Sequence, residues 1–344
     1  MNNRKNLGPV LLGELFGQKI TYTNLIPFKQ GLLDNTIDKD VWYFVAIGYH
    51  SPFHAEGIYT KIVQEVLSLG FKNFTMCLND PEAFFGFRRQ FPQIPCVLLS
   101  ELFFFYLRYD YGTVFSGCLS RPEKDRDFRA VMSARNADGK NRDLALNVNG
   151  LATISETSPQ VESEVLPNAV WTNSKFLSRE EIASVFARSK TGLILSFIEG
   201  ANRSTLEYLL SGIPIVSVEN KGGRDLLLDQ LNSITLQRKK KNREQLRSEV
   251  ANAVDSLIQS VNGSELSRAQ IRRRVLRRLC WLHEQFIESL SLLSQQSKKS
   301  VEHEMLGRLI VHAPSYIEIV KVKPLKPFIP DLPNRPVFVP TAFP

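Results

Sequence analysis

The stretch Thr191–Asp229, TGLILSFIEGANRSTLEYLLSGIPIVSVENKGGRDLLLD, constrains the fold more than any other part of the chain. Thr191–Ser196 is a short apolar run with small flanks and no helical period, which predicts a strand covered on both faces. Ser204–Leu210 places Leu206, Leu209 and Leu210 at three- and four-residue spacing, and Ser211-Gly212 supplies the left-handed stop of a helix. Ile213–Val218 reads as a second buried strand. Strand, loop, helix, glycine and strand make a βαβ unit. Its right-handed crossover puts the loop Phe197–Arg203 at the carboxyl edge of a parallel sheet, where such folds bind ligands.

That loop holds Glu199, and the following helix holds Glu207 eight positions on. Gly200-Ala201 lets backbone approach a ligand closely, and the N–H groups of Asn202, Arg203, Ser204 and Thr205 at the helix start favour an anionic group. A carboxylate one turn inward can grip a diol; the plain alternative is a solvated helical Glu. The run Glu199-Gly200-Ala201-Asn202-Arg203-Ser204-Thr205-Leu206-Glu207 resembles the E-x7-E signature of family-four-type glycosyltransferases of the GT-B fold. The resemblance implies that Glu207 holds a nucleotide ribose and that Glu199 lies against the donor sugar. It also implies an α/β chain with two Rossmann-like domains facing a cleft. The reaction it implies is transfer of a sugar from a nucleoside diphosphate sugar to an acceptor hydroxyl, with retained anomeric configuration and no metal or other cofactor.

Weaker matches flank this stretch. Val41–Gly48 predicts a strand, and a helix follows with Ile58, Ile62, Val66 and Leu69 on one face and Gly70 as its stop. The loop between them, Tyr49–Gly57, resembles the glycine-rich loop that lies across the cleft from the donor, with Glu56-Gly57 where many relatives carry Gly-Gly. Gly57 keeps one close approach, and His54 is the candidate catalytic or acceptor-side group, set against an ordinary exposed histidine. Phe74–Leu78 and Cys96–Leu99 are further strands, with a helical or irregular stretch around Glu82–Gln90 between them. Residues 1–40 have no assigned function; Leu7–Ile20 suits a strand or a short helix.

Thr113–Ser116 reads as the first strand of the second domain, Gly117–Arg126 as its turn and Phe128–Ala134 as its helix, with Phe128, Val131 and Met132 in helical spacing. The turn resembles the family's G-R-L-x-x-x-K segment, which implies that Lys124, helped by Arg121 or Arg126, meets the donor diphosphate. Cys118 stands where the family has Arg, and Lys124 lies one residue further on than the pattern places it. An exposed basic turn is the alternative. Leu144–Val148 and Val170–Thr172 are expected strands, joined by a polar segment, Asn149–Pro167. Ser178-Arg179-Glu180-Glu181 is a capping box. Asn220–Asp225 is a second glycine loop opening a helix.

Beyond Leu236, Arg238–Arg247 and Arg268–Arg278 each carry six basic residues, the second on a long helix, Ser264–Gln296. Such a face suits either contact with anionic lipid headgroups or plain solvation. Recurrent prolines from Ala313 to Pro344 predict an extended tail. The expected division is 1–108, a small acceptor-side domain; 109–262, the nucleotide-sugar domain; 263–300, a helix packing back; and 301–344, the tail.

Composition decides little among partners. A net charge of +8 favours anionic ones such as nucleotide sugars, phosphorylated lipids or a membrane surface. The basic runs lack the interleaved aromatics of an RNA-binding surface. Four scattered cysteines without metal spacing, a start that lacks an apolar signal core, and Val97–Leu107 being too short to span a bilayer lead to the expectation of a cytoplasmic protein, with peripheral membrane contact left open. A sugar-nucleotide epimerase or hydrolase of the same fold, and a non-catalytic binding protein derived from a transferase, are the competing functions.

Overall fold

The computed structural model describes residues 9–47, 57–108, 111–239, 241–262, 267–295, 298–302, 323 and 338–339. The chain divides into two units, Met1–Tyr109 with Arg278–Pro344, and Asp110–Arg277.

The first unit opens with an antiparallel hairpin of β1 (Val10–Leu15) and β2 (Gln18–Asn24). Phe16 and Gly17 form its two-residue turn, both at positive φ, the conformation that matches the twist of the flanking strands. Then come α1 (Leu25–Leu33), β3 (Val41–Ala46), α2 (Ile58–Ser68), β4 (Phe74–Leu78), α3 (Pro81–Gln90), β5 (Cys96–Leu98) and α4 (Glu101–Arg108). Strands β2, β3, β4 and β5 are parallel neighbours in chain order. Their two faces are packed with rings. Tyr43 meets Phe28 and Phe71 on one side, while Phe44 meets Phe104 and Phe286 on the other.

Residues 10–24 are thus a hairpin, a reading that the mixed pattern of Leu7–Ile20 left open. In α2 the inner stripe is Thr60, Val63 and Val66; Ile58 and Leu69, expected inside, are 67% and 47% exposed. Of the expected face Val66 is buried and Ile62 half-buried, so the inner stripe is shifted towards Thr60 and Val63.

In the second unit, α5 (Tyr111–Ser116) leads through two 3-10 turns into β6 (Phe128–Ser133). Next follow β7 (Leu151–Ile154), α6 (Pro159–Val165), β8 (Ala169–Thr172), α7 (Arg179–Ala187), β9 (Ser189–Ile194), α8 (Arg203–Leu210), β10 (Ile215–Val218), β11 (Ser233–Leu236) and α9 (Arg243–Asn262). The sheet order is β11-β10-β9-β6-β7-β8, parallel throughout. That is the doubly wound order, whose direction reverses between β6 and β9.

Three expectations are corrected here. Thr113–Ser116 is helical, Phe128–Ser133 is a strand, and Leu144–Val148 is a short 3-10 turn with a tail, the true strand being β7 inside the polar segment Asn149–Pro167. The central position of β6 explains the second error. Ala130 and Met132 face the α9 layer, Val131 faces α8, and a run buried on both faces shows no period 2 by which to know it. Leu144, Ala145 and Val148 pack on Leu246, Val250 and Val254 of α9.

Helix α10 (Arg268–Ser294) gives residues up to Arg277 to the second unit and the rest to the first. Arg273 is exposed, but three of its other basic residues are engaged. Arg268 donates to the carbonyl of Gly212 and pairs with Glu123, Arg272 donates to the carbonyls of Leu210 and Gly112, and Arg274 pairs with Asp229. Guanidinium groups there cap the carboxyl end of α8. Among the described residues no helix is long and apolar enough to cross a membrane.

Candidate functional site

Two loops meet where the strand order reverses. One leaves β6 at Ala134–Asn141; the other leaves β9 at Leu195–Asn202. Asn141, at left-handed φ, donates from Nδ2 to the carbonyl of Leu195 and ties the first loop to the end of β9. Across this seam Lys140 forms an ion pair with Glu199. Glu199 also accepts from Ser196 Oγ and from Asn202. Burial raises the Glu199 pKa, but Lys140 and these hydrogen bonds outweigh it, so the carboxyl lies below its ordinary value and stays ionised.

Helix α8 rises from the same place. Asn202 caps it, accepting from the N–H of Thr205 at 3.0 Å. Ser204 Oγ donates to the carbonyl of Ser133, and Tyr208 Oη accepts from the N–H of Ser133 at 2.6 Å while donating to the carbonyl of Val131. The helix is therefore fixed to the end of β6. Gly192 makes room for this; a Cβ there would lie 2.5 Å from the Tyr208 ring. Arg224, fully buried, holds the ends of the next strands by donating to the carbonyls of Ser196 and Val218 and to Ser217 Oγ. The backbone of Glu199 pairs with Lys221 in the loop after β10, and Asn220 Nδ2 donates to the Glu199 carbonyl. The result is a rim that carries the Lys140–Glu199 ion pair beside the start of α8.

Glu207 lies one turn into α8, 9% exposed, and accepts a hydrogen bond from Tyr111 of α5. Gly200 is buried beside Glu199, and Ala201 is half-buried. Of the expected residues, then, Glu199, Gly200, Ala201, Asn202, Arg203, Ser204 and Thr205 come together at the seam, with Glu207 just beneath.

The structure does not bring Arg121, Lys124 and Arg126 to this place. Arg126 is 2% exposed and donates to the carbonyls of Ala187, Ser189 and Cys118, a structural role that leaves no open charge. Arg121 donates to the carbonyl of Asp125, and Lys124 is exposed in the 3-10 turn Glu123–Asp125. Ser189 begins β9, and Glu199 follows its other end. At about 3.3 Å per residue, roughly 20 Å of strand separates the turn from the seam. The expectation failed with the strand assignment, because a turn before β6 sits at the amino edge of the sheet. The pattern wanted there occurs after β6, in Ala134-Arg135-Asn136-Ala137-Asp138-Gly139-Lys140, with Arg and Lys five apart. Arg135 is exposed and has no hydrogen bond or ion pair among the described residues. Naming β6 correctly would have revealed both. His54 lies outside the described residues; Gly57 is buried at the start of α2.

No family model and no curated protein matches the sequence. Solved structures do. The chain is similar to HepE from Anabaena in complex with UDP, at 12% identity and a TM-score of 0.51 over 79% of this chain and 78% of that one. It is similar to the pneumococcal O-GlcNAc transferase GtfA in complex with UDP and GlcNAc, at 12% identity and a TM-score of 0.53 over 83% of this chain. That match spans 57% of GtfA's length. The sucrose-phosphate synthase of Thermosynechococcus elongatus gives 13% identity and a TM-score of 0.52 over 81% and 74%. The chain has a GT-B fold. The second unit of this GT-B chain carries the seam just described.

Proposed function

We propose that the chain is a glycosyltransferase that takes a sugar from a nucleoside diphosphate sugar and passes it to a hydroxyl of a glycan, a lipid-linked sugar or a small molecule. The observation that carries this reading is the Lys140–Glu199 pair beside the capped start of α8, at the reversal point of a doubly wound sheet. The proteins of similar fold include two solved with UDP, which makes a uridine nucleotide the first to try.

As the glycosidic bond to the donor breaks, negative charge grows on the leaving diphosphate. Positive groups aimed at that charge lower the barrier. Arg135, Lys140 and the N–H groups of Arg203 and Ser204 supply them. Lys140 turns from Glu199 to the diphosphate when donor binds, and Glu199, released and ionised, accepts from hydroxyls of the sugar. Glu207 accepts from the ribose. We assign retention of configuration and metal independence to the same reading, and His54 to the acceptor side.

The experiment is a thermal-shift screen against UDP-, GDP-, ADP- and dTDP-sugars, followed by turnover of the best donor with and without acceptors. Stabilisation by one nucleotide series and acceptor-dependent release of the nucleotide are expected. Equal release without any acceptor would favour a hydrolase or epimerase, and stabilisation by no nucleotide would end the transferase reading.

A further inference from the structure

Glu207 is the only carboxylate on α8, and its side chain is enclosed on the side facing α5. The Tyr111 phenol reaches it there and donates a hydrogen bond. The contact is held from both directions. Arg272 donates to the carbonyl of Gly112, beside Tyr111, and also to the carbonyl of Leu210 at the end of α8, so one guanidinium fastens α5 to α8. Phe115 of α5 stacks on Phe186 of α7, which meets Tyr208 of α8, making a second brace. Arg179, first residue of α7, lies over the Tyr111 ring at 5.8 Å.

From this arrangement we infer that Tyr111 is a positioning residue for nucleotide binding: its hydrogen bond fixes the Glu207 carboxylate and leaves the second oxygen to the ribose. The inference rests on the ribose role proposed above for Glu207. A carboxylate has about four lone-pair sites, so one phenol donor leaves acceptors for a diol. Burial raises the Glu207 pKa above its ordinary value, and Arg203, the Tyr111 hydrogen bond and Arg179 offset only part of the rise. Elements packed around α8 bring other charged or titratable groups: Cys118 before β6, Arg224 and Asp225 after β10, and Arg268 and Arg272 of α10. Arg224 and Arg268 are committed to carbonyls, to Asp225 and to Glu123, and Arg272 to carbonyls. Of the groups acting on Glu207, Tyr111 alone binds it without bringing a charge, so its hydroxyl can be removed with little change to the field.

The test is calorimetric titration of UDP into the full-length wild type, Tyr111→Phe and Glu207→Gln at pH 6 and pH 8. Comparing proteins at each pH cancels the titration of the ligand's own phosphate. Phe keeps the ring against Phe115 and Arg179, and equal melting temperatures at pH 8 would show the fold intact. Tyr111→Phe is expected to bind about tenfold more weakly than wild type at pH 6 and within about twofold at pH 8, because losing the hydrogen bond raises further a pKa that burial already raises. Glu207→Gln should be weaker at both. If Glu207→Gln is weak while Tyr111→Phe overlays the wild type, or falls equally at both pH values, the positioning role is wrong and the ribose reading stands. Glu207→Gln equal to wild type, or no UDP binding by the wild type, overturns both.

Discussion

The two units are both mostly parallel sheets, yet they are wound differently. In the first, β2, β3, β4 and β5 follow one another in space as in sequence, and the sheet is held by rings on both faces. In the second, the order doubles back between β6 and β9, and the ends of the strands there are held by buried polar groups, Arg224, Asn141 and Tyr208. A sheet wound one way sends its successive loops over the same side. A reversal sends two neighbouring loops apart and leaves a crevice between them. The first unit has such a tie at its strand ends, Asn79 donating to the Ile47 carbonyl and accepting from the Glu101 N–H, whereas at the crevice Arg224 alone donates to two carbonyls and a hydroxyl, with Asn141 and Tyr208 beside it.

The largest test of this contrast replaces Arg224 with Met. The aliphatic stem is kept, but Ser196 and Val218 lose their donor, and leaving buried carbonyls unpaired should lower stability by about 3–5 kcal/mol in urea unfolding. Phe44→Leu in the first unit should cost less, about 1–2 kcal/mol, and leave UDP affinity unchanged. If the Met variant is as stable as wild type, directional bonds do not hold the crevice.

A second test uses pH and belongs to the first unit. His283 is buried beside Phe103, and burial lowers its pKa to about 4. The folded imidazole therefore stays neutral between about pH 4 and 6.5, where the unfolded chain would bind a proton. The unfolded state binds more protons across that window, so stability is fully present above pH 6.5 and falls as pH drops towards 4, by on the order of 3 kcal/mol. His283→Gln should flatten the slope in that window; an unchanged slope would show that other groups carry it.

Chemistry at the seam gives smaller effects. Glu199→Gln should reduce donor turnover about tenfold or more while binding UDP nearly as wild type does, since Glu199 is assigned to the sugar. Equal turnover would remove Glu199 from the site. Excess EDTA should have no effect on turnover, and strict dependence on manganese or magnesium would overturn metal independence.

The organising βαβ stretch was legible because its punctuation is local. Gly212, at φ +71, ends α8, Asn202 begins it, and the Ser178 capping box starts α7, each recognisable from a few residues. What was not legible depended on partners far along the chain. Phe128–Ser133 carries no period because both its faces are covered, and one wrong strand there moved the expected diphosphate turn to the opposite edge of the sheet. That placed Arg121, Lys124 and Arg126 at the amino edge and passed over Arg135 and Lys140, which we propose in their stead. The six basic residues of Arg268–Arg278 read as a face for solvent or for anionic lipid headgroups, whereas Arg268 and Arg272 are 6% and 5% exposed. No local pattern distinguishes an arginine facing water from one facing the carboxyl end of another helix.

The central claim is that the donor diphosphate sits at the reversal between β6 and β9. Calorimetric titration of UDP into Lys140→Ala and Lys124→Ala, side by side with wild type, tests it most directly. Loss of a charge-assisted contact should weaken Lys140→Ala by about 1.5–3 kcal/mol, tenfold or more, with Lys124→Ala inside twofold of wild type. Wild-type affinity in Lys140→Ala together with a large loss in Lys124→Ala would place the diphosphate at the amino edge of the sheet and contradict the account.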